Sequence, residues 1–183
     1  RREGVTVVNV RPSTLESVNE VQLTELANKP YPYDVDSDHR VLRASFKTEA
    51  GLSYRIYIVK ETNENGEVDG VSVEFSAFRE REDGKLVSTL YKTGTGDAFR
   101  IFATVAHVLK RYLNANPKII KFEFSGDKDQ PSRIKLYDTM AKMLPKYLPN
   151  FKLVDVERGF TFDHYSFEKA KTEKPTNIKE FIK

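Results

Sequence analysis

The chain has 183 residues, 39% hydrophobic and 31% charged, the proportions of a soluble domain long enough to bury one substantial core. Its 30 basic and 27 acidic residues leave a net charge of only +3, so attraction to a polyanion must come from local clustering. With no cysteine there is no disulfide, thiolate nucleophile or thiolate metal site. No apolar run reaches membrane-spanning length and no signal-peptide core follows Arg1-Arg2-Glu3, so the expected location is the cytoplasm, with no membrane partner.

Val5 to Val10 reads as a short strand that Arg11-Pro12 breaks. Ser13-Thr14-Leu15-Glu16 matches a capping box and starts a helix to about Ala27. Asn28-Lys29-Pro30-Tyr31-Pro32-Tyr33 cannot continue that helix. Its two prolines force extended backbone, and it is expected to strap the core with both tyrosine rings packed and both hydroxyls wet. Asp34-Val35-Asp36-Ser37-Asp38 has the spacing of a calcium loop without its glycine or final glutamate, and is read as a solvated loop.

From Val41 the period is two. Leu42, Ala44 and Phe46 alternate, then Tyr54, Ile56 and Ile58, then Val71, Val73, Phe75 and Ala77. Turn chemistry falls at Ala50-Gly51, Asn63-Glu64-Asn65-Gly66 and Glu82-Asp83-Gly84. These are antiparallel strands, with a last one from Leu86 to Tyr91. The glycine loop Thr93-Gly94-Thr95-Gly96-Asp97 follows and opens a helix, predicted over Ala98 to Asn114 and stopped by Asn114-Ala115-Asn116-Pro117. On it Arg100, Thr104, His107, Arg111 and Asn114 form a polar stripe, read as solvated.

A strand with Ile120, Phe122 and Phe124 on one face comes next, then a helix over Ser132 to Leu144 that Pro145 should end or kink. Strands near Phe151 to Val156 and Phe160 to Phe167 finish the core. From Glu168 a lysine-rich tail has little to bury, although Ile178, Phe181 and Ile182 could dock on a partner. The order predicts an α/β (α+β) fold, one mixed, twisted, mostly antiparallel sheet with the two helices on opposite faces. Phe102, Val105, Leu109, Phe122, Phe124, Tyr137, Met140 and Leu144 should be mostly buried. The divisions are 1–40 for the N-terminal strand, helix and strap, 41–167 for the core and 168–183 for the tail.

Helix N-termini attract anions through orphan amides and the dipole, so Gly94 and Gly96 could admit a phosphate with Lys92 beside it. Asp97 could instead cap the same amides and make the loop a plain strand-to-helix turn. Glu74, Glu123 and His107 are general-base candidates that spacing does not separate. His39, His107 and His164 form no close ligand pair, and no metal site is expected. Lys110, Arg111, Lys118, Lys121, Arg133, Lys135, Lys142 and Lys146 make a candidate phosphate-contact surface, but acidic residues interleave with them and nucleic acid is not the favoured partner.

Over Val41 to Phe167 the order of strands, glycine loop, helix, strand, helix and strands resembles the GNAT superfamily of N-acetyltransferases. Tyr91-Lys92-Thr93-Gly94-Thr95-Gly96 is similar to its Gln/Arg-x-x-Gly-x-Gly/Ala loop, with Tyr91 in the place of Gln or Arg. Leu136-Tyr137 is similar to the close of its Asn-x-x-Ala-x-x-Leu-Tyr segment. The resemblance implies an acetyl-CoA pyrophosphate at Lys92, Gly94 and Gly96, a groove between splayed strands, and Tyr137 as the acid that protonates the departing thiolate. Tyr137 also falls on the face of Met140, Ala141 and Leu144, where it would be core. The strap, the glycine loop with its helix, and Pro131 to Asp138 together resemble small tailed-bacteriophage proteins of no assigned reaction. That implies a phage origin, and with Tyr91 and Asp97 departing from the acetyltransferase loop the chain is expected to be a binding or accessory protein in the host cytoplasm or virion, with a phage or host protein as partner and no cofactor. The alternatives are an active acetyl-CoA-dependent N-acetyltransferase and a nonspecific nucleic-acid-binding protein.

Overall fold

The computed structural model describes residues 29–81, 83–84, 86–88, 98–127 and 131–170, without the side chains of 80, 86–88 and 131–133. The expected strand and helix before residue 28, the glycine loop with Tyr91, Lys92, Gly94, Gly96 and Asp97, and the tail beyond residue 170 lie outside these residues.

The elements are β1 (Asp34–Ser37), β2 (Val41–Lys47), β3 (Ser53–Thr62), β4 (Val68–Glu80), β5 (Leu86–Ser88), α1 (Ala98–Ala115), β6 (Lys121–Asp127), α2 (Pro131–Tyr147), β7 (Phe151–Arg158) and β8 (Phe162–Lys169). They form one eight-stranded sheet in the order β1-β2-β3-β4-β6-β8-β7, with β5 on β4. The sheet is mixed and mostly antiparallel, as expected: among the described strands only β4 and β6 pair in parallel, and α1 lies in the crossover that a parallel pair needs. Gly51, Gly66 and Gly84 close the three turns read from sequence, each at a φ of 75–79°, where a Cβ is disfavoured.

The core lies on one face of the sheet. Ala44 pairs with Ile56, Ile58 with Val73, Val71 with Phe122, Phe122 with Phe167 and Phe124 with Tyr165, so these buried residues stand side by side. Phe122 stacks on Phe167 with ring centroids 4.6 Å apart, and Phe124 on Tyr165 at 4.8 Å. Such pairs add about 1 kcal/mol each beyond the area they bury. Both helices cover this same face, contrary to the expected opposite placement. Phe102 of α1 meets Tyr147 of α2 edge-on at 5.9 Å, and Tyr137 of α2 lies against Phe124. The reason is in the strands: the other face carries Arg43, Arg55, Glu74, Glu123, Ser125 and His164, which a helix could not bury. Of the eight predicted core residues, seven are at most 8% exposed and Tyr137 is partly buried.

Three further readings change, and β8 shows a buried face that the sequence reading did not assign. Asp34–Ser37 is an exposed edge strand rather than a loop. It pairs with β2, and Asp38 closes the turn by accepting from the backbone of Arg40 and Val41 at 2.8 and 2.9 Å. Those bonds, with Arg43 at 2.7 Å, hold the Asp38 carboxyl far below its usual range. Helix α2 runs through Pro145 to Tyr147, with Leu148 N–H donating to Leu144 at 2.9 Å. In β8 the buried residues are Asp163, Tyr165 and Phe167, while Phe160 and Phe162 are exposed. The polar stripe of α1 is not a plain solvated face, because it is the rail on which the strap docks.

That rail is built residue by residue. The Arg100 guanidinium lies 3.9 Å over the Tyr31 ring, its Nε donates to Lys29 O at 3.0 Å, and its Nη1 reaches Glu49 at 2.7 Å. Thr104, wholly buried, accepts from Tyr31 N–H at 2.9 Å and donates to Arg100 O at 2.8 Å. His107 Nδ1 and Arg111 Nη1 each meet the Tyr33 hydroxyl at 3.1 Å. The Tyr31 ring stacks on Phe46 at 5.6 Å and its hydroxyl is buried, not wet. No helix among the described residues is long and apolar enough to cross a membrane.

Candidate functional site

The parallel pair β4/β6 is short for the strands that make it. Gly70 to Val73 partner Lys121 to Phe124, and there the pairing stops although β4 runs on to Glu80 and β6 to Asp127. On the same edge of β4, β5 takes up pairing again at Phe78. Glu74 to Ala77 therefore have a β3 partner on one side and none among the described strands on the other. A strand edge without a partner presents backbone donors and acceptors to whatever enters beside it.

Tyr137 stands at this fork. A Cβ built on Gly126, the second residue of β6 past the last pair, would lie 2.5 Å from Tyr137 Cδ2, so glycine is what lets the ring settle there. The ring meets Phe75 of β4 at 6.3 Å and Phe124 of β6 at 6.4 Å, bridging the parted strands on the helix-bearing face. It belongs both to the core edge and to the fork, the two places left open by the sequence.

The adjoining residue anchors α2. Asp138 Oδ1 accepts from Arg158 Nη2 and from the Tyr165 hydroxyl, each at 2.8 Å, and Arg158 Nη1 donates to buried Asp163 at 2.6 Å. Burial and then the Asp138 carboxylate push the Tyr165 phenol well above its usual range, while Asp163 and then Asp138 raise Arg158 further. Asp163 pairs with Gly126, so this clamp lies next to the Tyr137 ring. The sequence reading missed it, because Asp138, Arg158, Asp163 and Tyr165 converge only after β7 and β8 fold back.

The other candidates are dispersed. Glu74 and Glu123 stand on the face away from the helices, Glu74 exposed and Glu123 partly so, while His107 is held by Tyr33 on α1. His39 lies in the exposed β1–β2 turn, and His164 meets Ser125 Oγ at 2.8 Å through Nδ1. Lys121 lies across Gly70 and reaches Asp69 at 3.4 Å. Beside it, burial first, then Glu123 and Asp69, raise the Glu61 carboxyl, which Lys121 partly opposes. Of the candidate phosphate-contact residues, Lys110, Arg111, Lys118, Lys135, Lys142 and Lys146 are exposed.

No family model matches the chain, and no curated protein matches it. Among solved structures it is similar to spermidine N-acetyltransferase from Vibrio cholerae in complex with CoA and spermine. The TM-score is 0.34 and the identity 14%, over 82% of this chain and 74% of that one, a likeness too loose to carry that protein's chemistry across.

Proposed function

We propose that the chain is an acetyl-CoA-dependent N-acetyltransferase whose thioester arm lies in the gap between β4 and β6. The observation that supports this most is the early end of the parallel pairing, which leaves the edge of Glu74 to Ala77 without a described strand partner. An extended arm bearing amides can satisfy such an edge as an added strand would. Lys92, Gly94 and Gly96 take the pyrophosphate in this reading. Tyr137 is the acid, at the fork where the thiol end of the arm would arrive.

The Phe75–Tyr137 ring contact favours a second reading, in which aromatic filling of the gap has turned the fold into a phage-encoded accessory protein that binds a protein partner. Thiol release from acetyl-CoA in the presence of primary amines separates the two. The transferase reading expects amine-dependent turnover that Tyr137→Phe lowers about 100-fold with little change in KM for acetyl-CoA. Absence of turnover by a folded wild-type protein across mono-, di- and triamines favours the accessory reading.

A further inference from the structure

The two faces of the sheet differ in chemistry where β4 and β6 part. The helix-bearing face presents Phe75, Phe124 and Tyr137. The opposite face presents Glu74 and Ser125, the first residue of each strand beyond the last pair, Val73 with Phe124, and both are exposed. Ser125 Oγ lies 2.8 Å from His164 Nδ1. Ser125, His164 and Glu157 are successive partners across β6, β8 and β7, so the three side chains stand in one row that starts at the edge of the gap with Ser125 and leads away from it. Neighbours in such a row have Cβ atoms about 5 Å apart.

Resting on the transferase reading, we propose that Ser125 and His164 form the acceptor site for a cationic primary amine that reaches the gap from this exposed face, and that they remove its proton. The charged groups around them suit that substrate. Glu123 and Asp127 flank Ser125 on β6, Asp155 and Glu157 face β8 from β7, and Glu74 stands across the gap, while Lys121 is engaged with Asp69. With His164 as the Nε2–H tautomer, Nδ1 accepts from the Ser125 hydroxyl. The ammonium first gives one proton to water, and the lone pair of the free amine then attacks the thioester carbonyl to form a C–N bond. A proton of the attacking nitrogen passes to Ser125 Oγ as the hydroxyl proton moves to His164 Nδ1. The C–S bond then breaks, and the thiolate takes the proton of Tyr137. Amide and free thiol leave, and proton exchange with water resets imidazolium and phenolate.

The experiment uses butane-1,4-diamine as the amine. Ring nitrogen resonances of His164 are followed while diamine is added without acetyl-CoA, and thiol release is then measured for wild type, Ser125→Ala, His164→Gln and His164→Ala. The expected result is a saturable movement of the His164 resonances that Ser125→Ala weakens. His164→Gln should lose at least about 100-fold in kcat with KM for acetyl-CoA unchanged, and added imidazole should restore part of the activity of His164→Ala. Resonances that ignore the diamine, or a His164→Gln protein within about 3-fold of wild type, overturn the inference even where acetyl-CoA is consumed. Resonances that respond while acetyl-CoA neither binds nor reacts uphold the amine site and sink the transferase reading instead.

Discussion

At the scale of single residues, Thr104 shows how a polar side chain in an apolar helix can hold a distant segment. Its hydroxyl accepts from Tyr31 N–H and donates to Arg100 O, and it has no exposed surface. Thr104→Val keeps the shape, removes both bonds and leaves the Tyr31 amide buried without its acceptor. The expected loss is about 2 kcal/mol in urea unfolding, mostly recovered by Thr104→Ser. A loss below about 0.5 kcal/mol would mean that the strap is not held there. The stripe was visible in the sequence, but its partner was not: spacings of four and three place Arg100, Thr104, His107 and Arg111 together on a helix without saying whether water or chain lies against them.

At the scale of elements, β6 joins the core on one face to a charged row on the other. Glu61, Glu123 and Asp69 crowd around Lys121, and burial with the two neighbouring carboxylates raises the Glu61 carboxyl above its ordinary 4.5. The folded chain thus holds that proton more tightly than the unfolded chain does, so this group makes stability fall as pH rises through the folded midpoint. Glu61→Gln should therefore raise the melting temperature at pH 7, with the gain shrinking to nothing as pH falls below about 4.5. A gain independent of pH would assign the effect to something other than charge. The strands β2, β3, β4 and β6 were legible because alternation in Ala44-Phe46, Ile56-Ile58, Val71-Val73 and Phe122-Phe124 writes burial directly into the chain. The strand β8 was legible but its buried face was not: Phe160 and Phe162 are exposed, while the buried set is Asp163, Tyr165 and Phe167, with Asp163 neutralised by Arg158. Local pattern cannot show a charge whose partner arrives from β7. Placing both helices on one face needed the register, since a helix's apolar side does not say which face of a sheet it meets.

At the scale of the molecule, among the described residues two helices and a strap cover one side of the sheet, and β4 and β6 part at a fork that no described strand fills. Tyr137 was legible as a candidate from Leu136-Tyr137, whereas the fork was not, because strand divergence is a property of two segments fifty residues apart rather than of either sequence. We hold that this fork receives acetyl-CoA, and calorimetric titration measures that binding without any coupled step. The claim predicts saturable binding in the micromolar range. Gly96→Glu, which sets a carboxylate against the pyrophosphate, should abolish it, and Gly126→Ala, whose added methyl pushes the Tyr137 ring from its seat, should weaken it about tenfold or more. No measurable heat with millimolar acetyl-CoA, or binding that both substitutions leave unchanged, would contradict it.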